Sequence, residues 1–248
     1  MFRKLLFAAS FFIPGLAFGD EVQVAVAANF TAPMQKIAAE FEKDTGHKAL
    51  LSFGSTGKLY AQISNGAPFD ILIAADEKTP AKLVTEGKGI SGSQFTYATG
   101  KLVLWSADPT RVDPKGAALV KGDFRHLSIA SPRLAPYGAA AIEVLTSLKL
   151  LDFIQPKFVQ GENLAQAYQF IASGNAELGF VALAQVLKDG KLIGGSAWVV
   201  PAELYSPIRQ DAVLLDKGQH NPAAITLMKY LAGDKAKHVI RAFGYDVR

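Results

Sequence analysis

Two segments early in the chain combine small residues with polar side chains in a way that suits anion binding. They are residues 27–31 (AANFT) and residues 53–58 (FGSTGK). Each follows a short β-rich run and precedes a helical pattern, so each is predicted to be a turn from a strand into a helix. The first N–H groups of a helix have no intrahelical acceptor, and small residues let a ligand approach them closely. Both segments therefore favour an anion bound at a helix N-terminus.

Two further segments have the same character in the second half of the chain. Residues 131–138 (SPRLAPYG) place Pro136 where the first turn of a helix accepts it, with Tyr137 beside it, and residues 160–164 (QGENL) end in a cap residue and a helix start. In open α/β sheets, ligands bind at the carboxyl ends of strands, where all four segments are expected to lie. Four helix starts of about +0.5 charge each approach the charge of a dianion without a buried lysine or arginine.

Local structural roles for the same residues stay open at this point. Asn29 or Thr31, and Ser55 or Thr56, are residue types that cap their own helices. Tyr137 is an aromatic residue near a helix start, and such a ring can simply pack against its own helix.

Motifs of phosphate-binding loops and of common enzymes do not fit the sequence. A P-loop needs glycine five residues before its Gly-Lys pair and Ser or Thr after it, but Ser52 and Leu59 occupy those positions. No two histidines have the i, i+4 spacing of a zinc helix, and no Gly-x-Ser-x-Gly elbow occurs. A periplasmic enzyme that acts on a small anionic substrate is thus a minor alternative. The candidate contact positions also lack a carboxylate, which favours a fully deprotonated oxyanion over hydrogenphosphate, whose proton needs an acceptor.

The wider pattern predicts an α/β fold. Short β-rich runs alternate with helical patterns such as the one formed by Met34, Ile37, Ala38 and Phe41. The predicted strands are residues 22–28, 48–53, 70–74, 101–106, 127–131, 178–182 and 211–215.

The N-terminus predicts export. Residues 1–19 carry Arg3 and Lys4, then a short apolar run, then a small-x-small end, as a signal peptide cleaved before Asp20 would. The apolar run is shorter than the roughly 20 residues of a spanning helix. The chain contains no cysteine for lipid attachment or a disulfide, so a freely soluble periplasmic protein is expected. Removal of the two basic leader residues lowers the formal charge from +4 to +2, which is too small to indicate nucleic-acid binding.

Several segments, taken in order, resemble the molybdate-binding periplasmic proteins of bacterial ABC transporters, the ModA family. The likeness spans the chain after residue 19. It rests on residues 27–30 (AANF), 54–57 (GSTG), 60–63 (YAQI), 65–68 (NGAP), 74–78 (AADEK), 100–105 (GKLVLW), 135–138 (APYG), 178–184 (LGFVALA) and 243–245 (FGY).

This resemblance implies a two-lobed periplasmic binding protein fold of type II. Each lobe would be a mixed sheet flanked by helices, with the ligand in the interlobe cleft. Lobe I would comprise residues 20–100 plus 209–248 and lobe II residues 101–208, with hinges near 99–101 and 208–210. The implied function is capture of molybdate or tungstate, without a cofactor, and delivery by a monomer to an inner-membrane ABC transporter permease. Sulfate or another tetrahedral oxyanion is the alternative ligand.

The resemblance also implies a set of ligand-binding residues. Asn29 would donate through its amide and Ala28 through its backbone, Thr56 and Tyr137 would donate hydroxyls, and Leu164 would use its backbone N–H. The commonest family pattern has serine at the positions of Asn29 and Thr56, and a tyrosine at the position of Ala182. Tyr137 is expected to replace that tyrosine from a different loop.

Overall fold

The computed structural model describes residues 20–188 and 190–247 of the chain. The predicted signal peptide, residues 1–19, lies outside the described residues. The strands, in chain order, are β1 (Glu21–Ala27), β2 (Lys48–Gly54), β3 (Ile71–Ile73), β4 (Phe95–Gly100), β5 (Leu102–Ser106), β6 (Leu127–Ala130), β7 (Phe158–Gly161), β8 (Leu178–Ala182), β9 (Leu187–Lys188), β10 (Lys191–Leu192), β11 (Ser196–Val199) and β12 (Ile208–Leu214).

Helices follow most of these strands. They are α1 (Thr31–Thr45), α2 (Thr56–Ser64), α3 (Lys78–Thr85), α4 (Ala117–Lys121), α5 (Pro136–Ser147), α6 (Leu151–Ile154), α7 (Leu164–Ala172), α8 (Leu183–Val186), α9 (Pro222–Ala232) and α10 (Asp234–Ala242). Within the described residues, no helix combines the length and the apolar character needed to cross a membrane.

Two mixed sheets form the centres of two lobes. One has the strand order β2-β1-β3-β12-β4 and the other the order β11-β5-β8-β6-β7, while β9 and β10 form a separate hairpin. Parallel pairs join β1 to β2 and β3, and β6 to β7 and β8, whereas β12 and β5 run antiparallel to their neighbours. The α/β prediction, with a mixed sheet in each lobe, is confirmed.

Helices cover both faces of each sheet because the central strands are apolar on both sides. Val24 and Val26 of β1 pack with residues of α1, α9 and α10, whereas the intervening Ala25 packs with residues of α2 and α3. In the other lobe, Leu104 of β5 shares a core with residues of α5, and Trp105 shares one with Ile171 of α7. Alternating side chains of a strand point to opposite faces, so such strands need cover on both.

Some predicted elements need correction. The last predicted strand, 211–215, begins earlier, at Ile208. β7 was implied only by the expectation that residues 160–164 follow a strand, and β4, β9, β10 and β11 were not predicted. Polar residues interrupt the apolar pattern of β4 (FTYATG), and β7 and β11 have only four residues each, too few for a clear period. The helical pattern at 34–41 is confirmed, since Met34, Ile37 and Phe41 are fully buried in α1.

The chain passes between the sheets next to Lys101 and again before β12. Strands of the first sheet come from residues 21–100 and 208–214, and strands of the second from residues 102–199. Residue 184 departs from this division, because Ala184 of α8 packs in the core of the first lobe. The lobe boundaries at 100/101 and 208/209 stay a prediction.

Candidate oxyanion-binding site

The four polar junctions meet at one small cavity between the lobes. The space open to the centre of a water molecule there is about 10 Å³. All five residues that the sequence analysis selected line it. The lining residues are Ala27, Ala28, Asn29, Gly54, Ser55, Thr56, Ala75, Ala135, Pro136, Tyr137, Asn163 and Leu164. Ala75, which follows β3, belongs to a fifth junction that the sequence analysis did not select.

The first junction presents its backbone to the cavity. After β1 the chain forms a 3-10 turn, Ala28–Phe30, which leads into α1, and no side chain caps either helix start. The cap alternative is therefore wrong for Asn29. Its expected role as a donor to the ion stays a prediction; in this structure Asn29 Nδ2 donates to Gln210 Oε1 at 2.9 Å and to Tyr245 Oη at 3.1 Å. The backbone N–H groups of Ala28 and Asn29, at the start of the turn, are the donors this junction offers.

The second junction supplies two hydroxyl groups. Ser55 precedes α2 but makes no capping bond with its side chain, and its Oγ atom is buried without a hydrogen-bond partner among the described residues. Thr56 Oγ1 accepts from the backbone N–H of Ala75 at 3.0 Å, which leaves the Thr56 hydroxyl proton free to donate. Sequence reasoning treated Ser55 only as a possible cap, since serine is common at both kinds of position.

The third and fourth junctions are the starts of α5 and α7. Pro136 opens α5, as predicted, and Tyr137 follows it. At α7, the cap interpretation is confirmed, because Asn163 Oδ1 accepts from the N–H of Gln166 at 3.0 Å. Leu164 is the first residue of α7, so its N–H has no acceptor within the helix.

Tyr137 does more than pack against its own helix. Gln210 Nε2, on β12 of the other lobe, donates to Tyr137 Oη at 3.0 Å. Burial raises the pKa of Tyr137 well above its ordinary value, because the charged phenolate would be desolvated. The hydroxyl therefore keeps its proton and remains a hydrogen-bond donor throughout the neutral range.

Direct contacts join the lobes beside the cavity. The N–H of Gly57 donates to the carbonyl oxygen of Leu134 at 2.9 Å, and a Cβ atom at position 57 would lie 3.2 Å from Leu134 Cα. Next to it, Lys58 Nζ forms an ion pair with Glu162 at 3.0 Å. Lys58 is thus paired on the rim, and no charged side chain lines the cavity in the part of the chain that the structure describes. The lobes are closed on this side.

A two-lobed α/β protein with an enclosed, donor-lined cavity between its lobes has the architecture of a solute-binding protein. The family model described as bacterial extracellular solute-binding protein matches residues 22–246. The chain is 63% identical over 228 residues to the molybdate-binding protein ModA of Azotobacter vinelandii. This alignment covers 92% of this chain and 90% of that relative. It is 52% identical over 229 residues to ModA of Rhodobacter capsulatus, with 92% and 89% covered.

Solved structures agree with these relatives. A periplasmic molybdate-binding protein of Azotobacter vinelandii superposes with a TM-score of 0.89 at 44% identity, covering 92% of this chain and 99% of that one. The sulfate-binding protein SubI of Mycobacterium tuberculosis matches at 14% identity with a TM-score of 0.71, covering 92% and 87%, and shows the fold alone. The chain belongs to the bacterial extracellular solute-binding proteins and, within them, to the ModA family of molybdate-binding proteins.

The buried phenols around the cavity predict a loss of stability at alkaline pH. Burial raises the pKa of Tyr97, Tyr137 and Tyr245 in the folded protein. In the unfolded chain a tyrosine ionises near about pH 10, so the stability these groups contribute is complete below that pH and lost as the pH rises above it. Urea unfolding at a series of alkaline pH values should show a falling free energy of unfolding. Tyr137→Phe should lose less stability over the same range; an equal slope for both proteins would contradict the buried-phenol explanation.

Proposed function

We propose that this protein captures molybdate or tungstate in the periplasm and delivers it to an ABC transporter permease in the inner membrane. The observation that carries the proposal is the interlobe cavity, which is lined by hydroxyl groups and helix starts and by no charged side chain in the described residues. The sequence relatives with 63% and 52% identity bear the name of molybdate-binding proteins, which supports the choice of ion.

In this proposal, cavity residues of both lobes donate hydrogen bonds to the ion. The first lobe offers the backbone N–H groups at Ala28 and Asn29 and the hydroxyl of Thr56. The second lobe offers the Tyr137 hydroxyl and the Leu164 N–H. Hydrogen bonds to a charged group contribute about 1.5 to 3 kcal/mol each, and several together offset the desolvation of the ion. Helix starts from both lobes add partial positive charge.

Ser55 joins this donor set in our proposal, although the resemblance did not include it. Its hydroxyl is buried and has no partner among the described residues, and Ser55 lines the cavity. A buried polar atom without a partner carries a cost that a bound ion would remove. A ligand oxygen is the acceptor that this hydroxyl lacks.

The size and chemistry of the cavity favour a small inorganic ion. The free space of about 10 Å³ is far below that of pockets for drug-sized organic ligands. The lining contains no carboxylate to accept the proton of hydrogenphosphate. Sulfate or another tetrahedral oxyanion is the alternative ligand, and the names of the sequence relatives favour molybdate.

Location, partner and assembly follow from the same proposal. Residues 1–19 would direct export and be removed before Asp20, in keeping with the solved periplasmic relative of Azotobacter vinelandii. The mature chain would act as a monomer that presents the closed, loaded cleft to the permease. It would bind its ion and release it unchanged, without a cofactor and without catalysis.

Calorimetric titration of residues 20–248 with molybdate, tungstate, sulfate and phosphate tests the function. Molybdate and tungstate should bind tightly, and sulfate and phosphate should give no heat above dilution. If sulfate bound as tightly as molybdate, the protein would not be specific for molybdate and tungstate, and its ligand would be another oxyanion. The absence of binding heat with all four ions would contradict the proposal.

Ser55→Ala tests whether the unpartnered hydroxyl faces the ion. The variant should weaken molybdate binding by about 1 to 3 kcal/mol, because one charge-assisted hydrogen bond is lost. Without the ion, the free energy of unfolding of the variant should equal or exceed that of the unaltered protein, because the substitution breaks no hydrogen bond within the protein.

Ser64→Ala is the matched control for this test. Ser64 ends the same helix α2, at the opposite end from the cavity, and its Oγ atom is also buried without a partner among the described residues. Its loss should leave molybdate affinity unchanged. If both serine variants bind molybdate like the unaltered protein, Ser55 has no contact with the ion.

A further inference from the structure

A buried amide on β12 links the two halves of the cavity without lining it. Gln210 is fully buried. Its Nε2 atom donates to Tyr137 Oη at 3.0 Å, and its Oε1 atom accepts from Asn29 Nδ2 at 2.9 Å. One side chain therefore contacts a candidate ligand residue of each lobe.

The side chain of Gln210 lies next to a β-bulge in the pairing of β12 with β4. The pairing of β12 with β4 shifts between Gln210 and Asp211, which leaves Tyr97 of β4 without a residue directly opposite. Such bulges redirect side chains out of the regular alternation. The Tyr97 hydroxyl has both Gln210 Oε1 and the carbonyl oxygen of Ala74 as acceptors, each at 2.9 Å, so it helps to hold the amide in place.

Two further residues fix the surroundings of the amide. Tyr245 Oη donates to the carbonyl oxygen of Asn29 at 2.9 Å and accepts from its side-chain nitrogen. Glycine at position 100 lets these side chains lie close to the backbone, because a Cβ atom there would collide with Tyr137 Oη and Gln210 Nε2. The group formed by Asn29, Tyr97, Tyr137, Gln210 and Tyr245, here termed the buried polar network, is thus packed against backbone.

Hydrogen-bond direction gives this network a function. A phenol oxygen has one proton to give, and Gln210 Nε2 occupies an acceptor site on Tyr137 Oη. The amide therefore leaves the Tyr137 proton for another acceptor, which is the neighbouring Tyr245 hydroxyl or an ion in the cavity that Tyr137 lines. At the same time Gln210 Oε1 takes up a proton of Asn29, so the first junction meets the ion with its backbone.

We propose that Gln210 is a positioning residue for the bound oxyanion: it orients the Tyr137 hydroxyl as a donor into the cavity and ties that donor to the Asn29 junction of the opposite lobe. This inference rests on the proposed function, since it concerns the same ion. Gln210 acts through Tyr137 and makes no contact with the ion itself.

Two substitutions separate orientation from packing. Gln210→Leu keeps a similar volume but removes both hydrogen-bonding atoms. Gln210→Glu keeps the shape but replaces the donor with an acceptor, which would attract the Tyr137 proton and place a negative charge near the ion. Calorimetry with molybdate should show a loss of about tenfold or more in affinity for the leucine variant, as expected for one hydrogen bond, and a larger loss for the glutamate variant.

A double-mutant cycle provides the readout that a merely structural role would not change. In a Tyr137→Phe background, Gln210→Leu should reduce affinity by at most about twofold, because the hydroxyl through which it acts is already missing. Ser106→Ala is the control. It removes a buried hydrogen bond to the carbonyl oxygen of Glu177 at the far end of β5, so it should lower the urea midpoint and leave affinity unchanged.

The outcomes distinguish this inference from the proposed function. If the unaltered protein binds no oxyanion, the proposed function fails. If it binds molybdate but Gln210→Leu costs the same factor with and without the Tyr137 hydroxyl, the positioning role is wrong. Should the leucine variant fail to fold, Gln210→Glu serves in the same cycle, and molybdate affinity equal to that of the unaltered protein would overturn the inference.

Discussion

An anion enclosed between two protein lobes loses its water, and this loss is the constraint on which the structure depends. The cost of burying a charge is high unless hydrogen bonds replace the hydration shell. In our proposal this chain meets the cost with helix starts and hydroxyl groups, whereas Lys58, which follows the second junction, is paired with Glu162. Neutral donors have a further consequence: the empty cleft carries no strong charge that would repel closure or hold the ion too tightly for release.

The same constraint explains why the cavity is surrounded by a second layer of polar groups. A donor contributes only if its proton points at the ion, and small hydroxyl groups rotate freely unless another bond holds them. Thr56 is held by the N–H of Ala75, and Tyr137 by the amide of Gln210. Fully satisfied polar networks of this kind make a buried region rigid and unique. In this protein the network crosses from one lobe to the other, so the donors reach their final arrangement when the lobes are closed.

The local sequence pattern was enough to predict the α/β class and the four junctions, because residue types and their spacing change where a strand ends and a helix begins. Side-chain roles that depend on residues far away in the chain could not be predicted from the local pattern. The amide of Asn29 is bonded to Gln210 and Tyr245, which are 181 and 216 residues away in the chain, so residue type alone could not reveal these partners. Ser55 was treated only as a possible cap, because serine is common before a helix, and the absence of a capping bond became visible only in the structure. The lobe boundaries rest on family resemblance and stay a prediction.

A crystal structure of the mature chain with bound molybdate is the most direct test of the central claim, that neutral donors from both lobes hold the ion. The account predicts the ion in the cavity between Ser55, Thr56, Tyr137 and the starts of the first and seventh helices, with every oxygen in contact with an N–H or O–H group. It predicts no lysine or arginine nitrogen within hydrogen-bond distance. A bound ion that contacts a charged side chain, or that lies outside this cavity, would contradict the account.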